Sequence, residues 1–155
     1  MRVLRETGMT VEVELGELTV TMLSDGETGM PLTHLRGPDG AALSEAELVG
    51  ADSVDGKLCL PVRAYLVRGP EGVLLIDAGA GDAWHPSLGR LPEALREAGS
   101  GPGEVTVVAL THTHVDHLGG LVTPMGDAAF PNAARVFVAV EELQDFRAEP
   151  RMIPL

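Results

Sequence analysis

The chain contains one cysteine, one lysine, one tryptophan and one tyrosine in 155 residues. With Cys59 alone, a disulfide within the chain is impossible. With Lys57 the only lysine, and ten arginines scattered along a chain of net charge −12, there is no basic cluster to neutralise phosphates, which excludes a nucleic-acid partner. No run approaches the roughly 18 apolar residues of a membrane helix. Met1–Thr7 lacks the apolar core of a signal peptide, so a cytoplasmic protein without a membrane partner is expected. Aromatics are only 3% of residues, which leaves Val, Leu and Ala to fill the core.

What is present suits one α/β domain over residues 1–155, within the usual range of domain size. Nineteen glycines and eleven prolines favour short strands and turns over a helical bundle. Val11-Glu12-Val13-Glu14-Leu15 and Leu18-Thr19-Val20-Thr21-Met22-Leu23 alternate with period two and predict a hairpin about Gly16-Glu17. Ser24-Asp25-Gly26 reads as the turn that closes its second strand. Residues 26–57 read as irregular, with a short helix at 44–49 on the capping-box spacing of Ser44 and Glu47.

Val62–Val67 and Val73–Ile76 predict a further strand pair, the second apolar at every residue as if covered on both faces. Residues 91–99 predict a helix, with Pro92 in its first turn, Glu93 at its positive end and Gly99 ending it. Strand 73–76, this helix and the apolar run Val105–Leu110 make a crossover, which requires parallel pairing. A strand over 135–140 and a helix from Glu141, with Leu143 and Phe146 on its apolar side, follow.

Three of the five histidines fall within six residues, directly after the apolar run: His112-Thr113-His114-Val115-Asp116-His117, then Gly119-Gly120. Imidazole nitrogen and carboxylate oxygen grouped this way suit zinc or a similar divalent metal. In extended backbone His112 and His114 point the same way and can grip one metal, while the turn into a helix redirects Asp116 and His117 toward a second position. Two cations so placed hold a hydroxide at neutral pH and polarise a carbonyl or phosphoryl oxygen. Asp116 is both a ligand and the candidate catalytic carboxylate. The competing reading is a helix cap at Asp116 beside a satisfied polar cluster. Asp77, directly after a buried strand, is a turn former or a brace for a neighbouring imidazole. His85 could share that cleft through the Asp77 loop, and His34 is a lone loop histidine.

The run Thr111–His117 with Gly119-Gly120, Asp77-Ala78-Gly79 upstream and Phe130-Pro131-Asn132-Ala133 downstream resembles the metallo-β-lactamase superfamily. Histidine at 117 is similar to the hydroxyacylglutathione hydrolase and lactonase branch. Histidine at 114, where the flavo-diiron branch has glutamate, speaks for hydrolysis. The resemblance implies an αββα sandwich of which this chain supplies about the first αβ half. It also implies two Zn2+, with His112 and His114 in site one and Asp116 and His117 in site two. The implied activity is hydrolysis of a small-molecule ester, thioester or lactone. Residues 118–155 contain no histidine, so the downstream ligands of that pattern are missing. The expectation is an incomplete set, with little activity alone. The alternative is a non-catalytic module completed by a second copy or a complementing chain.

Overall fold

The computed structural model describes residues 1–43 and 53–148. Among these residues, eight strands form one mixed sheet. β1 (Arg2–Glu6), β2 (Thr10–Leu15), β3 (Leu18–Pro31), β5 (Lys57–Gly69) and β6 (Gly72–Ile76) pair antiparallel in that order, and the short β4 (Ser53–Val54) pairs with β5. β7 (Val107–Ala109) and β8 (Arg135–Phe137) then add in parallel. Helix α1 (Leu91–Glu97) lies between β6 and β7, so the predicted parallel crossover is present. Helices α2 (Val115–Leu118) and α3 (Val140–Ala148) follow β7 and β8. None of the described helices is long and apolar enough to cross a membrane.

The register explains the core. Thr21, Leu66, Leu75 and Val108 line up across four neighbouring strands, with Leu23 opposite Ala64, and all six are essentially solvent-free. Onto this row pack Leu91, Ala94 and Leu95 of α1, together with Val105 and Phe130. Spaced three and four apart, Leu91, Ala94 and Leu95 make one apolar face of α1.

On the other face, Met22, Tyr65, Ile76, Ala109 and Phe137 form the corresponding row. Tyr65 is 41% and Phe137 53% exposed, and no described helix covers them. The expectation that β6 is covered on both faces is therefore corrected: among the described residues only its Leu75 side is sealed. This is one helix-backed layer of the αββα arrangement, the first αβ half of that fold.

Other differences have local causes. Ser24-Asp25-Gly26 does not end a strand. The pairing of β3 with β5 shifts register between Ser24 and Gly26 and continues to Pro31, so the turn-forming residues make a bulge. The stretch that reads as irregular from residue 26 is thus partly strand, followed by a 3-10 turn at Leu32–His34. β1, which was not foreseen, is exposed along its length and has no buried alternation to reveal it. β7 and β8 are shorter than the apolar runs 105–110 and 135–140. The helix expected at 44–49 lies outside the described residues.

Candidate metal centre

The motif begins where the parallel sheet stops. Leu110 N–H donates to the Phe137 carbonyl, and Thr111 then leaves the sheet. The backbone is still extended at His114, which stands at the N-cap of α2 (φ −71°, ψ 154°). Asp116 and His117 fall within the single turn of that helix, which redirects them as the sequence predicts.

Two backbone segments meet behind the histidines. The loop after β6 is held to the motif by Asp77 N–H on the Ala109 carbonyl (2.8 Å), Ala78 N–H on the His117 carbonyl (2.7 Å) and Gly120 N–H on the Gly79 carbonyl (3.0 Å). A Cβ at Gly119 or Gly120 would overlap the carbonyl oxygens of Ala80 and Ala78, so this approach requires glycine at both positions.

Asp77 adopts a left-handed conformation (φ 62°), which aspartate tolerates better than most residues. Its buried carboxylate accepts the backbone N–H of Thr111 (2.8 Å) and the Thr111 hydroxyl. It also meets His117 Nδ1 at 2.9 Å. The structure thus places Asp77 as a brace for a neighbouring imidazole, the stronger of its two readings. Asp116 Oδ2 stands 3.3 Å from the other ring nitrogen, His117 Nε2. Burial disfavours charge on His117, but the hydrogen bonds and charges of Asp116 and Asp77 outweigh it and push the imidazole up to about 9. Both carboxyls are resisted by burial yet held below their ordinary range, chiefly by their hydrogen bonds to His117. His112 is lowered, first by burial and then by the His117 and His114 charges.

The third contact joins the remaining histidines: His112 Nε2 lies 3.0 Å from His114 Nδ1, and the His112 ring packs against His117 at a centroid distance of 3.9 Å. Among the described residues no three His, Cys, Asp or Glu side chains converge on one point as a ready coordination shell. Instead there are two donor pairs, His112 with His114 and Asp116 with His117. Two donors on a tetrahedral zinc, each about 2.0–2.1 Å from the metal, stand roughly 3.3–3.4 Å apart. The observed separations of 3.0 and 3.3 Å are close to that value. Each pair fits two corners of a zinc site, and Asp77 on Nδ1 leaves His117 Nε2 directed at Asp116, as a ligating tautomer requires.

His85 does not join the cluster. It is exposed, hydrogen-bonded through Nδ1 to Ser87 Oγ (2.8 Å), and lines a cavity of about 670 Å³ with Trp84, Leu88, Leu91 and Phe130. His34 is exposed in the 3-10 turn.

Sequence reasoning missed Asp25 and Glu142. Asp25, fully buried at the β3 bulge, accepts the backbone N–H of Ala80 (2.9 Å), Gly89 (3.1 Å) and Leu91 (2.8 Å), fixing the loop after Asp77 and the start of α1. Burial raises its carboxyl above the ordinary value against those donors. The Ser24-Asp25-Gly26 triplet hid it as turn chemistry. Glu142 of α3 accepts both the Thr113 N–H and hydroxyl at 2.9 Å, a partnership that its place 29 residues downstream does not announce.

Comparison with known proteins bears on the fold and the family. The family model of the metallo-beta-lactamase superfamily matches residues 58–124, from β5 through the histidine motif. A human protein, metallo-beta-lactamase domain-containing protein 1, is 33% identical over 116 residues, 75% of this chain and 33% of its own. Among solved structures, AidC, a dizinc quorum-quenching lactonase in complex with a product, superposes with TM-score 0.77 at 29% identity over 91% of this chain. The hydrolase AbOPH of the beta-lactamase superfamily gives 0.76 at 29% identity over 96%. The chain spans 48% and 50% of those two structures, and a third of the human relative. The motif, the sheet and these likenesses together place residues 58–124 against the metallo-β-lactamase superfamily, and the described chain is similar in fold to its lactonase and hydrolase members.

Proposed function

We propose that this chain carries the metal-binding half of a hydrolase acting on a small-molecule ester, thioester or lactone. The observation that carries the reading is the pairing of donors: two nitrogens from His112 and His114, and a nitrogen and an oxygen from His117 and Asp116, each pair at a separation that one cation can bridge. His112 and His114 would hold one zinc, and Asp116 and His117 a second. A divalent pair bound there supplies a water ionised near neutral pH and a Lewis acid for the carbonyl oxygen.

The chain's own residues do the rest. Asp77 fixes the His117 ring through Nδ1, and Thr111 fixes Asp77 through two donors. Asp116, at the opening of α2, is the carboxylate proposed to orient the attacking water. Each pair supplies two donors of the usual four, so further donors are needed for tight binding and turnover.

The test is hydrolysis of a panel of p-nitrophenyl esters, thioesters and γ-lactones with and without added Zn2+. Weak zinc-dependent turnover, lost in His112→Ala and Asp116→Ala, is expected, because the donor set is incomplete. Turnover that survives both substitutions, or a chelator, would sink the proposal.

A second reading rests on the uncovered row through Tyr65 and Phe137: a module whose sheet is completed by another chain. Sedimentation discriminates. A concentration-dependent dimer supports this second reading, and a monomer that persists up to high concentration counts against it.

A further inference from the structure

We propose that Glu142 is a positioning residue for the His112/His114 pair, acting through Thr113; the inference rests on the metal-site reading above. Thr113 lies between the two imidazoles, outside any strand or helix, where no sheet ladder fixes its peptide. Its side chain is buried while the flanking rings reach the surface, so the three residues still alternate. Glu142 Oε2 alone takes both Thr113 donors, the backbone N–H and the hydroxyl, each at 2.9 Å.

A carboxylate accepting two such bonds is a charge-assisted anchor, stronger and more directional than a neutral contact. If the Thr113 peptide rotated, one imidazole would swing away and the 3.0 Å contact between His112 Nε2 and His114 Nδ1 would open. Glu142 can perform this role because β8 runs parallel to β7, bringing the start of α3 beside the motif. The two donor pairs are then held by separate carboxylates, Asp77 behind His117 and Glu142 behind His112 and His114.

A purely structural alternative is that Glu142 docks α3 onto the sheet. Two arms separate them, with Glu142→Ala, Glu142→Gln and Thr113→Val compared in the whole chain. The first arm needs no metal: histidine ring 15N spectra of the chelator-treated protein. Glu142→Ala should move or broaden the His112 and His114 signals and leave His117 in place. The second arm is Zn2+ affinity with the visible spectrum of Co2+ as probe. Removal of a group that orients a ligand costs roughly 10–100-fold in metal affinity, which is the loss expected for Glu142→Ala.

Glu142→Gln can set its amide oxygen where Oε2 stands and accept both donors without the charge, so it should recover most of that affinity. Thr113→Val, losing one of two donors, should fall between. Unchanged His112 and His114 signals in a folded Glu142→Ala protein would overturn the inference, as would equal loss in Ala and Gln variants. If Glu142→Ala does not fold, the Gln and Val variants decide by their order. A parent chain that binds neither Zn2+ nor Co2+ refutes the metal-site reading, while the ring spectra still decide the role of Glu142.

Discussion

Replacing Asp77 with asparagine isolates a charge without changing its shape. Asparagine keeps an oxygen for the Thr111 N–H, now at 2.8 Å, but cannot offer a negative charge to His117 Nδ1 at 2.9 Å. Two carboxylates hold His117 up near 9, and contact with one opposite charge moves a titrating group by ~1–3 units. The variant should therefore bring His117 down toward the ordinary histidine value of 6.5.

A hydrogen bond to a charged partner contributes about 1.5–3 kcal/mol, so a loss on the order of 2 kcal/mol in the metal-free protein is expected. The pH dependence has a definite sign. Because His117 is raised in the folded state, its contribution is complete below 6.5 and disappears as pH climbs through about 9. Urea unfolding of the chelator-treated chain should show parent and variant well separated at neutral pH and converging above pH 9. Histidine NMR titration gives the shift directly. A parent His117 that titrates at the ordinary histidine value of 6.5, or a stability gap independent of alkaline pH, would refute the reasoning.

Other expectations follow from the same contacts. Gly120→Ala forces a methyl into the Ala78 carbonyl and should destabilise the protein by roughly 1–3 kcal/mol in chemical unfolding, with a comparable effect at Gly119; wild-type stability in both would contradict the close approach. Asp25→Ala leaves three N–H groups without their acceptor, two of them buried and each worth about 1–3 kcal/mol, so it should lower the thermal midpoint more than any exposed carboxylate removal, such as Glu71→Ala. Phe137→Lys with Tyr65→Lys should reduce light scattering and self-association, since both rings lie on the uncovered face; unchanged association would place the contact elsewhere.

The elements governed by local pattern were legible in the sequence. The β2–β3 hairpin, the β5–β6 pair, α1 with its proline start and glycine end, and the crossover to β7 each follow from periodicity or capping. The four motif residues also fall together as their spacing predicts, because the end of a strand and one helical turn suffice to gather them. What escaped was non-local. Asp25 sits in a triplet that reads as a turn, and only the partner strand β5 makes it a bulge whose carboxylate reaches residues 80–91. Glu142 looks like one more solvated helix acid until the parallel pairing of β8 brings it to Thr113. The exposed face of β6 was misjudged because an all-apolar strand says that both faces want cover, not what covers them.

The central claim is that His112, His114 and His117 are metal ligands while His34 and His85 are not. Zinc titration of the metal-stripped chain, followed through the five histidine ring signals, tests it most directly. The three clustered rings should shift together, with His117 giving up its proton near neutral pH, while the other two stay fixed. Zinc that moves all five alike, or leaves the clustered rings unchanged, would contradict the account.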